Sequence, residues 1–252
     1  MTAELCFLPD PEAVSLKAAL IFTAQAIKAV ASKGRFTVAV SGGSTPLGLY
    51  RLLGATSKKD IPWDRTYIFW VDERCVAPDH QDSNYEGVYG ALISRVDIPA
   101  ANIHRIKGEM PPEAGAREYE EELKRYFGST GLPVFDLVIL GVGEDGHTAS
   151  LFPNDPSLAE RERLAIPVYV KRMHSRRITL TLPVLNNALS ILFLVTGSKK
   201  AGILKGIFDS REKSQKFPSS LIQPVHGEVT WLIDTEAAVK LRADVSEKRR
   251  IC

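Results

Sequence analysis

The chain has 252 residues, of which 44% are hydrophobic and 25% are charged. This balance is typical of a folded globular protein and excludes an intrinsically disordered one, and the length suits one α/β domain or two small ones. The formal net charge is only +2, so no strong positive field points to nucleic acid. The basic run at 248–250 is interpreted as a solvated tail.

Hydropathy predicts neither a signal segment nor a membrane span. The apolar run Leu5–Leu8 is too short for the core of a signal peptide, and no apolar run approaches the ~18 residues that cross a bilayer. Cys6, Cys75 and Cys252 are widely spaced and predict neither a disulfide framework nor a C-x-x-C metal pair. We therefore expect a cytoplasmic protein that binds no membrane.

Helical and strand patterns alternate along the chain. Apolar stretches without polar alternation predict strands that are covered on both faces. In chain order, the predicted elements are a helix at 10–32, a strand at 35–40, a short helix from Pro46, a strand at 67–71, helices at 82–93 and 112–127, strands at 135–140, 166–170, 177–182 and 189–196, a helix at 199–208, a strand at 229–233 and a helix capped by Thr235. This alternation predicts an α/β fold with a mainly parallel sheet and helices on both faces.

Three polar or glycine-rich clusters, at 41–45, 72–75 and 141–147, each follow a predicted buried strand directly. In open α/β sheets, ligands bind outside the carboxyl ends of the strands. We therefore expect the three clusters to meet at one crevice if their strands are neighbours.

The segment Ser41-Gly42-Gly43-Ser44-Thr45-Pro46 reads as a turn from a strand into a helix. Its glycines let backbone N–H groups approach an anion, its hydroxyls add donors, and a helix N-terminus favours phosphate. No lysine follows at the spacing of a Walker A loop. The alternative is a tight βα turn that needs glycine only for its geometry.

Residues 141–146 match the dinucleotide pattern G-x-G-x-x-G after a strand. Glu144 and Asp145 would however place two negative charges against a pyrophosphate, and Pro153 and Pro156 prevent a long helix directly after the loop. The sequence therefore argues against a dinucleotide site.

His147 follows Asp145 in the same loop. A histidine at the carboxyl end of a strand can act as a general base near neutral pH, and a carboxylate two residues earlier can orient it. The alternative is a histidine that only satisfies backbone groups in a tight loop. The other histidines show no metal-ligand spacing, although Asp72, Glu73, Glu144 and Asp145 are oxygen ligands of the kind that attract Mg²⁺.

The charged triplet Asp72-Glu73-Arg74 follows a strand of apolar residues, where charges are costly unless they face a polar crevice or each other. Arg74 can hold a phosphate or stabilise an oxyanion, whereas the alternative is a self-contained ion-pair cluster. Cys75 is interpreted as a partly buried inert thiol.

Basic residues that remain as candidates are Arg177, which begins an alternating strand, and the pair Lys199-Lys200, which opens a helix. Cations at a helix N-terminus are disfavoured by the helix dipole unless an anion compensates them. No G-x-S-x-G elbow is present, so serine-hydrolase chemistry lacks its usual geometry.

Together, these motifs resemble the 6-phosphogluconolactonase family over roughly residues 10–240. The matching segments are VSGGSTP at 40–46, WVDER at 70–74 with DSNY at 82–85, LGVGEDGHTASLFP at 140–153, RRITLTLPVLNNA at 176–188 and VTGSKKA at 195–201. The related glucosamine-6-phosphate deaminase family shares the first loop and the DGH motif, but typically has an aromatic residue at the position of Arg74. The resemblance implies a single domain over residues 1–252, with a three-layer α/β sandwich of modified Rossmann-like topology that binds no nucleotide.

The resemblance also implies hydrolysis of 6-phospho-D-glucono-1,5-lactone to 6-phosphogluconate, with no metal or organic cofactor. His147 would activate water, Asp145 would support His147, Arg74 would bind the oxyanion or the substrate, and Asp72 would position Arg74 or the sugar. The phosphate would bind Ser41, Gly42, Gly43, Ser44 and Thr45, helped by Lys200 and Arg177. A small phosphosugar lactone is the only expected partner, and the protein is expected to be a monomer or a weak homo-oligomer.

Two other functions stay open from the sequence. One is an isomerising deaminase of glucosamine 6-phosphate in which Asp72 is the base. The other is a sugar-phosphate sensor that binds its ligand without catalysis.

Overall fold

The structure is a computed structural model that describes residues 3–56, 60–209 and 216–241; the basic run at 248–250 lies outside these ranges. Ten strands and seven α-helices are described within them. The strands are β1 Glu4–Leu8, β2 Phe36–Val40, β3 Thr66–Trp70, β4 Asp72–Arg74, β5 Ile103–His104, β6 Leu137–Leu140, β7 Ala165–Val170, β8 Ser175–Leu180, β9 Ser190–Val195 and β10 Glu228–Asp234. The helices are α1 Pro11–Lys33, α2 Ser44–Thr56, α3 Asn84–Ala91, α4 Pro112–Phe127, α5 Leu182–Leu185, α6 Ala201–Asp209 and α7 Thr235–Ala238.

Seven strands form one parallel sheet in the order β1-β10-β9-β6-β2-β3-β5, flanked by helices. The central strands β2, β6 and β9 are almost completely buried because both faces of the sheet are covered. The predicted α/β fold with a mainly parallel sheet is confirmed. After β2 the chain continues to β3 on one side, while β6 pairs with β2 on the other, which creates a topological switch point.

Strands β4, β8 and β7 form a separate three-stranded antiparallel sheet. The sequence predicted β7 and β8 as strands but did not assign them to a sheet, and the structure places them in this second one. A tight turn at 171–174 joins them, and a connection of that length permits only antiparallel pairing. The short strands β1, β4 and β5 were not predicted.

Two helix starts also differ from the prediction. Helix α2 begins at Ser44 rather than Pro46, so Thr45 lies inside its first turn. The cap of α7 is Asp234 rather than Thr235, since the Asp234 carboxylate accepts the N–H of Ala237 at 2.7 Å.

Helix α1 has 23 residues and includes an 18-residue window of mean hydropathy 1.4, so by length and composition alone it could cross a bilayer. In the fold, its inner face packs against α2 and strands of the parallel sheet. The residues buried on that face are Val14, Ala18, Ala19, Phe22, Ala26 and Ala29. Cys6 is disulfide-bonded, which the sequence did not predict, whereas Cys75 is a free thiol.

Candidate active site

A cavity of about 210 Å³ opens at the carboxyl edge of the parallel sheet, beside the switch point. The segments that follow β2, β3, β6 and β9 all line it, as expected for neighbouring parallel strands. Among the residues predicted for the site, those that line this cavity are Ser41, Gly42, Gly43, Ser44, Thr45, Asp72, Arg74, His147, Arg177 and Lys200. Asp145 lies directly behind His147 and contacts its ring.

The glycine-rich turn between β2 and α2 is packed tightly against Asn84. A Cβ atom at position 42 would overlap the side-chain amide of Asn84, so only glycine fits there. The hydroxyl of Thr45 is hydrogen-bonded to that of Thr196 at 2.9 Å. In the part of the chain that the structure describes, the buried Ser41 hydroxyl has no hydrogen-bond partner. The turn therefore presents hydroxyls and the free amides of a helix N-terminus to the cavity.

The side chains of the triplet Asp72-Glu73-Arg74 point to opposite faces of strand β4, because successive residues of a strand alternate in direction. Asp72 and Arg74 line the cavity. Glu73 instead accepts the backbone N–H groups of Asn84 at 2.7 Å and Tyr85 at 2.8 Å, at the start of α3. Burial raises the pKa of Glu73, and these hydrogen bonds oppose the rise. Glu73 is therefore a structural residue that anchors α3.

Asp72 is buried at the base of the cavity, and both of its carboxylate oxygens are engaged. The Ser150 hydroxyl donates to Oδ2 at 2.6 Å, and the Asn84 amide donates to Oδ1 at 3.1 Å. Arg177 approaches the same hydroxyl, with its Nη1 donating at 3.4 Å. Asp72 thus links the loop after β6, helix α3 and strand β8.

Two arginines form one wall of the cavity. Arg74 and Arg177 are paired across β4 and β8, and Arg177 is only 8% exposed. Within the described residues, the Nε atoms of both are buried without a hydrogen-bond partner. Burial lowers the pKa of Arg177, the charge of Asp72 opposes this, and Arg74 adds to it. This wall is suited to an anion.

His147 and Asp145 form a hydrogen-bonded pair, with Nδ1 2.5 Å from Oδ1. Partial burial alone would raise the pKa of Asp145, but its contacts with His147 and the charge of Arg172 hold that pKa at about 2. The carboxyl group is therefore ionised at neutral pH, so Nδ1 carries the shared proton and Nε2 is the nitrogen that can accept one.

The middle glycine of the G-x-G-x-x-G pattern has a local explanation. A Cβ atom at Gly143 would overlap the His147 ring. The backbone N–H of Gly143 donates to the carbonyl of His147 at 2.8 Å, which closes the loop. No long helix follows it, so the amides that would hold a pyrophosphate are not aligned.

Lys200 reaches the cavity from the turn after β9, whereas its neighbour Lys199 is exposed. Burial lowers the pKa of Lys200, while the charges of Glu144 and Asp145 act in the opposite direction. A half-buried ammonium at this position is a suitable partner for an anionic ligand.

Three residues in contact with the site were not predicted as functional: Asn84, Ser150 and Thr196. Each lies in a segment that carries the family resemblance, but its partner, Asp72 or Thr45, lies in another segment, so the sequence did not indicate the contact. Burial raises the pKa of the Cys75 thiol to about 11, which does not suit a nucleophile. Within the described ranges, no group of three metal-ligating side chains occurs.

The chain is similar to known proteins over most of its length. Residues 9–231 match the family model described as glucosamine-6-phosphate isomerases/6-phosphogluconolactonase. A 6-phosphogluconolactonase from a Synechocystis strain is 39% identical over 245 residues, which cover 96% of this chain and all of that one. The human 6-phosphogluconolactonase is 41% identical over 221 residues, 86% of this chain and 84% of that one. The crystal structure of the Thermotoga maritima 6-phosphogluconolactonase superposes with a TM-score of 0.80 and is 29% identical, covering 93% of this chain and all of that one.

Proposed function

Because the chain belongs to the glucosamine-6-phosphate isomerase/6-phosphogluconolactonase family, we propose that it hydrolyses 6-phospho-D-glucono-1,5-lactone to 6-phosphogluconate, in the oxidative pentose phosphate pathway. The supporting observation is the pairing of His147 with Asp145 at a cavity that also contains Arg74, Arg177 and Lys200. A general base and an anion-binding wall are the two elements that hydrolysis of a phosphorylated lactone requires.

His147 acts as the general base in this proposal. The Asp145 carboxylate accepts the Nδ1 proton, which leaves Nε2 free to take a proton from a water molecule. The water oxygen then attacks the lactone carbonyl carbon. The imidazolium that forms is stabilised by the ionised Asp145 beside it.

Arg74 stabilises the oxygen of the tetrahedral intermediate, because it lines the cavity and its positive charge attracts the negative charge that develops on that oxygen. Collapse of the intermediate breaks the bond between the carbonyl carbon and the ring oxygen. The imidazolium returns its proton to that oxygen, so the products are a carboxyl group and a hydroxyl group on one open chain. The carboxyl group ionises at neutral pH and releases one proton per turnover.

The phosphate binds the turn at 41–45, with Lys200 and Arg177 as cationic partners. Hydroxyl groups, helix N-terminal amides and a half-buried ammonium line that part of the cavity. Binding energy at the phosphate, remote from the reacting carbon, fixes the position of the carbonyl group.

The deaminase alternative needs Asp72 as a proton-abstracting base. Both oxygens of Asp72 already accept hydrogen bonds, from Ser150 and Asn84, so this carboxylate is better suited to positioning. Asp72 thus supports the sugar or the arginine wall rather than removing a proton from carbon.

The test generates the lactone in the cuvette from glucose 6-phosphate with a dehydrogenase and follows proton release when the protein is added. Spontaneous hydrolysis is measured in parallel and subtracted. We expect a rate that scales with the amount of protein. A rate equal to the spontaneous one, or ammonia release from glucosamine 6-phosphate, would contradict the proposal.

We further propose that residues 1–252 form one domain. We also propose that the protein is cytoplasmic, because a phosphorylated lactone does not cross a bilayer unaided. The disulfide at Cys6 is unusual for a reducing compartment. Cell fractionation combined with thiol labelling decides the location, and recovery in a membrane or secreted fraction would contradict it.

A further inference from the structure

The hairpin between β7 and β8 reaches the candidate active site from the second sheet. Its tip is a single turn, Lys171–Met173, followed by His174 with a φ of 46°. Two side chains of this tip contact residues of the site. Arg172 forms an ion pair with Asp145, and the Met173 sulfur accepts a hydrogen bond from Arg177 at 3.2 Å. The hairpin is therefore connected to the site through side chains and not only through the backbone.

Arg172 and His147 hold the two oxygens of one carboxylate. Nη2 of Arg172 lies 2.7 Å from Oδ2 of Asp145, and Nδ1 of His147 lies 2.5 Å from Oδ1. A carboxylate that is held at both oxygens cannot rotate without breaking one of the two contacts.

Phe152 provides a second connection between the same groups. Its buried ring lies 4.5 Å from the His147 ring, centre to centre, and the Arg172 guanidinium lies over the Phe152 ring at 5.5 Å. Cation–π attraction holds the guanidinium over the ring and so limits its motion, although the Arg172 side chain is 52% exposed. The imidazole is thus restrained at Nδ1 and on one face.

We propose that Arg172 is a positioning residue for the hydrolytic reaction: by holding Asp145 against His147, it fixes the orientation in which His147 meets water. Arg172 does not line the cavity and acts through Asp145. The inference rests on the proposed function, because it assigns a role within that reaction. Other charges near Asp145 are Lys200, which it influences electrostatically, and the adjacent Glu144.

The kinetic test compares Arg172→Met with Arg172→Lys and with a matched control, Arg176→Met. Arg176 lies on the same hairpin, is exposed and does not line the cavity. We expect Arg172→Met to lower kcat about 10-fold with KM changed by less than about 2-fold, since positioning of the base is lost while substrate contacts remain. Arg172→Lys should recover most of kcat, and Arg176→Met should match the wild type.

The spectroscopic test does not depend on activity. The proton shared by Nδ1 of His147 and Asp145 is expected as a low-field proton resonance in the wild type, in Arg172→Lys and in Arg176→Met, and as a broadened or upfield-shifted one in Arg172→Met. An unchanged resonance with unchanged kcat in Arg172→Met would overturn the inference. A rise in KM with an unchanged resonance would also overturn it, because Arg172 would then act on the substrate. If the wild type lacks lactonase activity, the proposed function fails, but the resonance still reports whether Arg172 orders the pair.

Discussion

Arg74 and Arg177 lie directly opposite each other on the antiparallel strands β4 and β8, and both line the same cavity. Like charges at paired positions of neighbouring strands repel each other. Burial of Arg177 increases this cost, as the lowered pKa of its guanidinium indicates. The charge of Asp72 offsets part of this cost, and an anion that lies between the two arginines would reduce their repulsion further.

We therefore expect Arg177→Met to stabilise the free protein and to weaken anion binding. Removal of a buried, incompletely paired cation should raise Tm in the absence of ligand by about 2–4 °C, equivalent to about 1 kcal/mol. The Kd for 6-phosphogluconate should increase about 10-fold. Thermal unfolding and calorimetric titration measure the two effects. Arg176→Met is the control, and a variant that is less stable yet binds normally would contradict the argument.

His147→Ala should lower kcat by about 10²–10⁴-fold, the usual contribution of a general base, with a smaller effect on KM. The lactone assay described above measures both constants. His226→Ala removes an exposed histidine that does not line the cavity and should leave them unchanged. Wild-type turnover in His147→Ala would show that another group activates the water.

Lys200→Ala and Thr45→Ala should each raise KM for the phosphorylated lactone, because both residues line the proposed phosphate site. Loss of a charge-assisted hydrogen bond is worth about 1.5–3 kcal/mol, which corresponds to about 10- to 100-fold in KM for Lys200→Ala. Lys199→Ala is the matched control, because Lys199 is the exposed neighbour. Unchanged KM in both cavity variants would place the phosphate elsewhere.

The same lysine predicts a pH dependence of binding. Burial lowers the pKa of Lys200, so its ammonium loses a proton at a lower pH than an ordinary lysine does. Affinity for 6-phosphogluconate should therefore be highest below the pKa of Lys200 and decline as pH rises through it. This decline should begin at a lower pH than the pKa of an ordinary lysine would give. Calorimetry at increasing pH measures the decline. Lys200→Arg should abolish it, and an identical decline in that variant would assign the effect to another group.

Gly42→Ala should damage both stability and activity. The added methyl group would overlap the amide of Asn84, which donates to Asp72, so the turn or the amide must move. Overpacking of this kind costs about 1–3 kcal/mol. Gly90→Ala is the control, because a Cβ atom there meets nothing within 4 Å. Urea denaturation and the lactone assay compare the two, and equal stability would show that the turn adapts easily.

The parallel sheet was predictable because its strands are continuous apolar runs between helical segments, and the bounds of α4 agree with the sequence prediction of 112–127. That the three polar clusters line one cavity was predictable from a single rule: ligands of parallel sheets bind at the carboxyl ends of the strands. The roles assigned to those residues stay predictions.

The second sheet was not predictable in the same way. Strand β4 has only three residues, and its partner β8 is about a hundred residues away in the chain. The contact between Ser150 and Asp72 likewise joins residues separated by 78 positions. Such pairs depend on tertiary packing, which neither hydrophobic period nor motif spacing encodes.

The proposed phosphate turn and the proposed base follow β2 and β6, which are hydrogen-bonded neighbours in the parallel sheet. Their separation is set by the interstrand spacing of about 4.8 Å and by the short loops that extend from each strand. The backbone therefore sets the distance between phosphate and base to which the length of the sugar must correspond. Adapting the protein to a shorter or longer sugar phosphate would require loops of different length, because exchanging side chains would leave this distance unchanged.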